Sequence, residues 1–569
     1  MRRRNFIALT TIGATGLAAM GLPASGGHTG YSSQVKRGSE LSADLIIAGG
    51  GVGGCATALA ALRNGLSVIM TEETDWIGGQ LTSQGVPPDE HMWIETHGAP
   101  ESYRQYRTAV RNYYKRFYPI TSQEKAKERF NPGNAAVSEL SHEPRVSLAV
   151  LNEMLAPYIS SGKLTLLTEH KVKSAECAGN KVKALKIASL RSGNEIIVNA
   201  PYFVDATEMG DLLPITSTEF VTGTESRKET RELHAPEKGD PDNHQAFTVC
   251  FAMDYVPGTN NVGNKPAEYD FWKNLVPEMT PPWSGNLLDL SYSNPRTLEK
   301  KPLGFNPDGS STSPNLNLWN YRRILARDNF EKGAYAGDIS TVNWPQNDYM
   351  LGNLVGVTQK EFDHHVNRAK QLSLSLFHWL QTEAPRPDGK QGWPGLRLRK
   401  DIMGTEDGLA KYPYIREARR IKSHFTVLEE HVGQANRVNV AGAEAGKKAA
   451  HFYDSVGIGY YHIDLHPSSL NQNYIDFASL PFQIPLGALL PKRMENLLPA
   501  CKNIGTTHIT NGCYRLHPVE WSIGEAVGML VAYGLKNRLV PYQIRENKEN
   551  LAKFQEFITK QGVEIQWRG

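Results

Sequence analysis

The chain has 569 residues, of which 40% are hydrophobic and 21% charged, so it is long enough for several domains and has the composition of a globular protein. Its formal net charge of +3 equals the charge of the arginines at positions 2, 3 and 4, and the remainder is balanced, which argues against a nucleic acid or an anionic membrane as partner. The five cysteines are dispersed without a C-x-x-C pair. We therefore predict no metal site and no iron–sulfur cluster, while one or two disulfides stay open.

An export signal is predicted for residues 1–35. The arginines precede an uncharged stretch whose apolar part, residues 6–22, is short and broken by glycines for a spanning helix, which needs about 20 apolar residues. Arg3-Arg4-Asn5-Phe6-Ile7 resembles the twin-arginine export signal, and an ordinary basic signal or an uncleaved anchor is the alternative. We expect an exported protein, periplasmic or extracellular, with no stable membrane insertion after signal removal.

A dinucleotide motif follows the signal. Residues 44–48 form an apolar strand, a glycine turn comes next, and residues 55–62 read as a helix of small residues. Gly49, Gly51 and Gly54 satisfy G-x-G-x-x-G in that context. The first permits the tight turn, the second lets a pyrophosphate approach the backbone, and the third lets helix and strand pack closely.

A second strand, residues 66–71, ends in an acidic pair. Glu72 lies 23 positions after Gly49, close to the spacing of about 20 at which an acid binds the adenosine ribose, and Glu73 is a substitute. Strand, glycines, helix, strand and acid in this order indicate a dinucleotide site rather than a glycine turn without phosphate.

Three later segments point to a flavin. Gly78-Gly79-Gln80 resembles the Gly-Gly segment near the flavin of glutathione-reductase-type proteins. A β-meander is predicted from the short strands 164–168, 172–176, 182–190 and 196–198. Residues 202–207 then form a strand ending in Asp205-Ala206-Thr207, which resembles the second flavin-domain signature. The resemblance implies flavin contacts from Gly79, Gln80, Val172, Asp205 and Ala206.

The C-terminal part supplies a strand at residues 496–501 and a helix at residues 518–533. Pro518 fits the first helical position, with His517 at the cap. Glycines 524 and 528 keep one helix face small, so that a cofactor or a strand can approach. In the resembling flavoproteins this N-terminus, here Pro518 and Val519, faces the pyrimidine edge of the flavin. A helix that merely packs on a sheet is the alternative.

Together these segments resemble the FAD-dependent oxidoreductase family related to the flavin-binding part of heterodisulfide reductase, over nearly the whole chain after the signal. The motifs that carry the resemblance are Gly78-Gly79-Gln80 and residues 87–91 (PPDEH), 142–146 (HEPRV), 204–211 (VDATEMGD), 413–421 (PYIREARRI) and 515–521 (RLHPVEW). The cysteine motifs of the heterodisulfide reductase branch are absent, so electron transfer through clusters is not implied. The resemblance implies FAD as cofactor.

We expect an α/β fold with a Rossmann-like FAD-binding domain built from residues 42–96, 145–211 and 481–569, a β-meander, and an inserted α+β cap or substrate domain built from residues 97–144 and 212–480. In the cap, residues 361–383 predict a long helix with an apolar core stripe. Residues 414–421 carry charges on most faces, which indicates an ion-paired surface helix or, alternatively, contact with an anionic substrate.

Candidate catalytic residues precede the last helix. His517 is the predicted general base, because an ordinary histidine pKa suits proton transfer near neutrality, and a helix cap is its alternative role. Arg515 would hold an anionic or carbonyl oxygen, Tyr514 would hydrogen-bond the substrate, and His91 is the second candidate base. The expected reaction is hydride transfer between a small organic substrate and flavin, with an unidentified electron acceptor. The alternatives are a non-redox lyase or isomerase acting on a carbohydrate-type substrate, and a binding protein with a structural flavin.

Overall fold

The computed structural model describes residues 38–309 and 314–568, and the predicted export signal lies outside the described residues. The strands, numbered in chain order, are β1 (Glu40–Ser42), β2 (Leu45–Ala48), β3 (Val68–Glu72), β4 (Leu164–Thr168), β5 (His170–Ala178), β6 (Lys181–Ser189), β7 (Glu195–Asn199), β8 (Tyr202–Asp205), β9 (Phe220–Val221), β10 (Phe247–Thr248), β11 (Phe251–Tyr255), β12 (Ser291–Ser293), β13 (Lys300–Pro302), β14 (Arg323–Leu325), β15 (Ile339–Val342), β16 (Asp348–Tyr349), β17 (Leu396–Leu398), β18 (Arg420–Ile421), β19 (Ser455–Gly459), β20 (Ile463–Leu465), β21 (Ile475–Phe477), β22 (Phe482–Pro485) and β23 (Leu497–Pro499).

The α-helices are α1 (Val52–Arg63), α2 (Glu101–Phe117), α3 (Ser122–Lys125), α4 (Pro144–Ser160), α5 (Leu212–Ile215), α6 (Arg227–Thr230), α7 (Tyr269–Asn274), α8 (Leu318–Tyr321), α9 (Gln359–Thr382), α10 (Lys400–Met403), α11 (Glu429–Val432), α12 (Gln434–Ala441), α13 (His508–Tyr514), α14 (His517–Asn537), α15 (Pro541–Glu546) and α16 (Lys548–Thr559). None of the helices in the described residues is long and apolar enough to cross a membrane. All five cysteines are free thiols, so the disulfides left open by the sequence do not form.

A five-stranded parallel sheet combines strands from the N-terminal part of the chain with one strand from near its C-terminus. Its strand order is β23-β8-β2-β3-β4, with Leu45 opposite Val68 on one side and Tyr202 on the other. The strand at Leu164–Thr168 pairs with β3 in this sheet, so its assignment to the meander was wrong. Its apolar sequence suits either place, and only the long-range pairing decides between them. The carboxyl ends of β2, β3 and β8 meet at one edge.

Each face of the parallel sheet is covered by a different layer. Leu45 and Ile47 point into a core shared with helices α1, α4 and α14, whereas Ile46 and Ala48 point into a second core shared with β5, β6 and β7. The latter three strands form an antiparallel meander, to which β1 adds in parallel beside β7. The cofactor part of the chain is therefore a three-layer α/β fold of the Rossmann type.

Helices α1 and α14 are in unusually close contact. A Cβ atom on Gly524 would lie 2.1 Å from the carbonyl oxygen of Gly53, and one on Gly528 would lie 2.4 Å from that of Thr57. The Thr57 hydroxyl also donates a hydrogen bond of 2.9 Å to the Gly524 carbonyl. The small face predicted for a cofactor or a strand instead accommodates another helix. Helix α14 also begins one residue earlier than predicted, which makes His517 its first helical residue.

The middle of the chain has its own hydrophobic core, which is rich in tryptophan and tyrosine and includes Trp272, Trp319 and Trp344. Its largest sheet has the order β14-β15-β11-β17, and α9 packs beside it close to the predicted boundaries. Residues 414–421 are largely irregular rather than helical, and Arg416 and Arg420 are buried, so the surface-helix interpretation was wrong. Buried carboxylate partners hold these cations in place.

Candidate functional site

A cavity lies at the carboxyl edge of the parallel sheet, and we call it the FAD cradle. Among the residues that line it are Gly49, Gly51, Glu72, Gly79, Val172 and Ala206, all singled out from the sequence. It is also lined by residues that the sequence did not single out as cofactor contacts: Lys171, Thr207, Glu208, Asp211 and Tyr412. These come from the ends of neighbouring strands and from the middle of the chain, so only the folded chain brings them together.

The three motif positions favour glycine for different geometric reasons. Gly49 has φ +97°, and a Cβ there would lie 2.2 Å from the Ala206 carbonyl oxygen; a Cβ on Gly54 would lie 2.1 Å from the Gly49 carbonyl oxygen. Both positions therefore require glycine for packing. A Cβ on Gly51 would instead project into the cradle, where its nearest neighbour is Glu208 Oε1 at 3.0 Å.

The first turn of α1 opens onto the same space. Gly51 is its N-cap and contributes no side-chain hydrogen bond, so the first N–H groups are left for another acceptor. Helix N-termini of this kind bind phosphate. A side chain at position 51 would lie in the path of a pyrophosphate bound at this helix N-terminus. Glycine leaves that path open.

Glu72 joins the end of β3 to the glycine turn. Its Oε2 accepts a hydrogen bond of 3.0 Å from the Gly50 N–H, and its Oε1 accepts bonds of 2.8 Å from the N–H and the hydroxyl of Thr74. Burial raises the pKa of this carboxyl to about 7. Beside it, Glu73 forms an ion pair with Lys171 at 3.0 Å, and this pair closes the edge of the cradle.

Two of the predicted cofactor residues organise the backbone instead of lining the cradle. Asp205 is fully buried, and its carboxylate accepts hydrogen bonds from the N–H and hydroxyl of Thr207 and from the Leu212 N–H. The Gln80 side-chain amide donates to the Arg515 carbonyl at 3.0 Å and to Glu520 Oε2 at 2.9 Å. Gln80 thus links the Gly-Gly segment to the start of α14.

A buried ion cluster lies next to the cradle and was missed from the sequence. Lys502 Nζ lies 2.5 Å from Glu208 Oε2 and 3.5 Å from Glu520 Oε1. Burial raises the pKa of Glu520 to about 7, although Lys502 opposes that shift. Lys502 directly follows Cys501 after the last strand of the sheet, a position that carries no local signal of charge pairing.

A second cavity lies beside the start of α14, and we call it the polar cavity. It is lined by three arginines, each of which has a carboxylate partner: Arg322 with Asp89, Arg416 with Asp348, and Arg515 with Asp464, all at 3.2 Å. Its other lining residues include five tyrosines, at positions 292, 321, 414, 461 and 474, and two histidines, at positions 462 and 466.

His462, Asp464 and Asp476 bring their ligand atoms within 4.8 Å of one another, a grouping that could hold a metal ion where the sequence predicted none. These carboxylates already have cationic partners, because Arg515 lies 3.2 Å from Asp464 and Arg296 lies 2.9 Å from Asp476. His462 Nε2 lies 3.3 Å from Asp476, and this contact raises the pKa of the imidazole. The grouping is satisfied as an ion-pair network.

Of the predicted catalytic residues, Arg515 lines the polar cavity and donates a hydrogen bond of 2.8 Å to the Tyr414 hydroxyl. Tyr514 donates its hydroxyl to the Gln483 carbonyl at 2.7 Å, stacks on Phe482 and is not among the lining residues of either cavity. His91 is also absent from both linings. Its ring packs among aromatic side chains, with Nε2 3.1 Å from the Gly98 carbonyl oxygen.

His517 holds the start of α14 against residue 89. Its Nδ1 accepts a hydrogen bond of 3.1 Å from the Asp89 N–H, so in the neutral ring the proton resides on Nε2. Burial lowers the pKa of the imidazole to about 4, which leaves it uncharged at neutral pH. Pro518 and Val519, the next residues, are buried in the first turn of α14. The ring does not line the polar cavity, but Asp89, its partner, does.

Comparisons with known proteins give distant structural similarities and one family match. Among solved structures, the chain is similar to a geranylgeranyl bacteriochlorophyll reductase-like protein from Thermoplasma acidophilum, at 10% identity and a TM-score of 0.32 over 92% of this chain and 85% of that one. It is similar to OxyS anhydrotetracycline hydroxylase from Streptomyces rimosus at 10% identity and a TM-score of 0.33, over 91% and 66% of the two chains. L-proline dehydrogenase from P. horikoshii matches at 14% identity and a TM-score of 0.17, over 35% of this chain and only 27% of its own length.

No curated protein matches the sequence. The family model described as FAD dependent oxidoreductase matches residues 44–558, from the first strand of the parallel sheet to the last helix. The cofactor of this family is FAD, and the cradle has the glycines, the helix N-terminus and the strand-end acid that such a cofactor needs. The chain therefore belongs to the FAD-dependent oxidoreductase family.

Proposed function

We propose that this FAD-dependent oxidoreductase transfers hydride between a small organic substrate held in the polar cavity and its FAD. The observation that supports this most is the polar cavity itself, which has room for a small molecule and ends at Arg515 and Leu516, immediately before α14. The segment from Gly79, in the cradle lining, to Asp89, in the polar lining, runs between the two cavities. Cofactor and substrate would meet across this segment and the start of α14.

Different residues would hold different parts of the cofactor. Gly51 and the first N–H groups of α1 would hold the pyrophosphate, and Glu72 would hold the adenosine ribose. Pro518 and Val519 would lie against the pyrimidine edge of the flavin. When bound, FAD supplies the two-electron acceptor or donor for hydride at its N5 position.

The start of α14 favours negative charge in its vicinity. Its N-cap, Leu516, makes no side-chain cap, so the first-turn N–H groups and the helix dipole stay available. The buried guanidinium of Arg515 adds a fixed positive charge one residue before the cap. Both features would offset negative charge that develops on a cofactor or a substrate oxygen at this point.

Arg515 is the predicted catalytic residue whose surroundings best support its role, since it lines the polar cavity and is oriented by Tyr414 and Asp464. We propose that it holds a substrate oxygen. His517 offers a donor at Nε2 rather than a lone pair, because Nδ1 is taken by the Asp89 N–H. This favours a positioning role for His517. The general base would then be another group.

The proposal is tested by adding candidate substrates to the yellow holoenzyme without oxygen. Bleaching of the flavin band by a substrate, and its return with an added oxidant, is expected for hydride transfer. A lyase or isomerase would form product while the band stays unchanged, and a protein with a structural flavin would give neither result. Either outcome contradicts the proposed function, provided that dithionite bleaches the same flavin.

A further inference from the structure

Glu208 places one carboxylate oxygen between the glycine turn and the Gly-Gly segment. A Cβ on Gly51 would lie 3.0 Å from Glu208 Oε1, and a Cβ on Gly79 would lie 2.8 Å from the same oxygen. All three residues line the FAD cradle. The other oxygen, Oε2, accepts a hydrogen bond of 2.5 Å from Lys502, so Oε1 is the oxygen that faces the cradle.

A second carboxylate faces the preceding residue of the glycine turn. A Cβ on Gly50 would lie 3.2 Å from Glu72 Oε2, which also accepts the Gly50 N–H at 3.0 Å. Glu72 stands where the acid of such a turn binds the adenosine ribose. In FAD the pyrophosphate joins that ribose to the hydroxyl-bearing ribityl chain of the flavin. With the pyrophosphate at Gly51, the ribityl chain therefore passes Glu208 on its way to Gly79.

The charges of the cradle are compatible with hydroxyl groups as the ligands of its carboxylates. Four acids line the cradle: Glu72, Glu73, Glu208 and Asp211. Three of them are ion-paired: Glu73 with Lys171 and Asp211 with Arg419, both at 3.0 Å, and Glu208 with Lys502 at 2.5 Å. A carboxylate whose charge is balanced in this way can lie near a pyrophosphate and still accept a hydrogen bond from a hydroxyl group.

Asp211 belongs to the same sequence motif as Glu208 but is directed to another part of the cradle. Although burial opposes the shift, the charges of Glu73 and Asp211 raise the pKa of Lys171. Asp211 therefore lies near the ion pair of Glu73 and Lys171, at the edge of the cradle. Glu208 is the acid of this motif that lies beside Gly79.

Lys502 fixes the Glu208 carboxylate from within the protein. Lys502 is buried, and its Nζ lies 2.5 Å from Glu208 Oε2 and 3.5 Å from Glu520 Oε1. Glu520 is held in turn by the Gln80 side-chain amide at 2.9 Å. With Oε2 bound to this cation, Oε1 is left for a donor in the cradle.

We propose that Glu208 binds the ribityl hydroxyl groups of FAD through Oε1 and that Lys502 positions its carboxylate. The inference uses the placement of the pyrophosphate and the adenosine ribose given under the proposed function, but it does not depend on hydride transfer. FAD would then lie with its adenosine toward Glu72 and its flavin toward Gly79 and the start of α14.

The contact is tested by comparing FAD with ADP, which has the adenosine and the pyrophosphate but no ribityl chain. Glu208→Ala should weaken the affinity for FAD by about tenfold or more, the usual scale for a hydrogen bond to a charged group, and should not weaken the affinity for ADP. Glu208→Gln keeps an acceptor oxygen and should lose less. Flavin fluorescence measures FAD binding to the full chain after removal of its cofactor, and competition measures ADP binding. Unchanged or tighter FAD binding by Glu208→Ala, or an equal loss for ADP, would overturn the proposal.

An FAD analogue whose ribityl hydroxyl groups are replaced by hydrogen separates this chain from the flavin ring. The wild type and Glu208→Ala should bind the analogue equally, and a persisting difference would overturn the proposal by assigning Glu208 to the ring. The matched control is Glu176→Ala, which removes an exposed carboxylate outside both cavities and should bind each ligand like the wild type. These affinities involve no substrate, so their outcome is separate from the bleaching test of hydride transfer.

The positioning role of Lys502 is tested by rescue and by coupling. Lys502→Met should lower the affinity for FAD relative to ADP, and Lys502→Arg should restore it in part because a cation again lies behind Glu208. In a chain that already carries Glu208→Ala, Lys502→Met should not change this ratio further. Additive losses from the two substitutions would contradict the positioning role.

Discussion

The FAD cradle and the polar cavity lie close together but are built in opposite ways. The phosphate end of the cradle is formed by backbone, at the glycine turn and the start of α1, whereas side chains such as Glu72, Lys171 and Tyr412 line the rest. The polar cavity is formed almost entirely by side chains, and its ion pairs join residues far apart in the chain, such as Arg322 with Asp89. A site made of backbone leaves a local spacing in the sequence, whereas a site made of side chains from distant segments leaves none.

The largest effect, loss of FAD, is expected from a side chain added at position 51 in the glycine turn. Gly51 has φ −64°, which valine tolerates, so Gly51→Val should fold while its side chain occupies the path of the pyrophosphate. We expect a colourless protein, measured as flavin absorbance per chain after purification. Gly263→Val is the matched control, because nothing lies within 4 Å of a Cβ at that position, and it should keep its flavin. A yellow Gly51→Val protein would contradict the cradle assignment.

A substitution in the polar cavity should impair flavin reduction rather than FAD binding. Arg515→Gln should retain FAD but slow flavin reduction by substrate by about 10²–10³-fold, the range seen when one preorganised charge-stabilising donor is removed. The measurement is the anaerobic bleaching rate at a fixed flavin-to-protein ratio. Loss of flavin from this variant would place Arg515 in the cradle and remove the distinction between the two cavities.

The two cavities also differ in how much of each could be predicted from the sequence. Gly49, Gly51, Gly54 and Glu72 were identified because a phosphate-binding turn imposes a fixed order within about 30 residues. Asp89 and Arg416 lie inside motifs that were noticed, yet their roles in the polar cavity depend on Arg322 and Asp348, which no local pattern connects to them. His466 gave no signal at all, since its partner Asp348 lies 118 positions earlier.

The fold, like the site, could be predicted only where its sequence signal is local. The strands of the nucleotide-binding half were located within one or two residues, because their apolar runs and turns are local features. Leu164–Thr168 was misassigned because the choice of sheet depends on its pairing with β3. The buried charges at residues 414–421 suggested a surface helix, because Asp348, the partner of Arg416, and Glu225, a partner of Arg420, are remote in sequence.

A pH-dependent effect is expected for His517, which holds the start of α14 against Asp89 of the polar cavity. Its pKa is about 4 in the folded chain against an ordinary 6.5, so between these values the folded state binds fewer protons than the unfolded state. Its contribution to the free energy of unfolding is therefore full above pH 6.5 and falls by about 3 kcal/mol as the pH drops toward 4. His517→Asn keeps an acceptor for the Asp89 N–H and should lack this dependence. Denaturant melts of both proteins across that range measure the difference, and parallel curves would contradict it.

The smallest effect is expected at the contact between α1 and α14. Gly528→Ala places a methyl group 2.4 Å from the Thr57 carbonyl oxygen, so the helices must separate slightly. Overpacking of this kind costs about 1–3 kcal/mol in the free energy of unfolding. Gly263→Ala should leave stability unchanged within about 0.5 kcal/mol. Equal melting curves for Gly528→Ala and the wild type would show that the contact is looser than described.

The same contact has a consequence for how the protein is made. The cradle needs α1, which begins at Val52, to be held by α14, which begins at His517, and by the strand at Leu497–Pro499. A chain emerging from the ribosome has its glycine turn long before it has the elements that fix that turn. FAD loading is therefore expected to come after synthesis of α14, and ribosome-bound chains arrested before residue 517 should bind no flavin even though they contain the complete G-x-G-x-x-G motif.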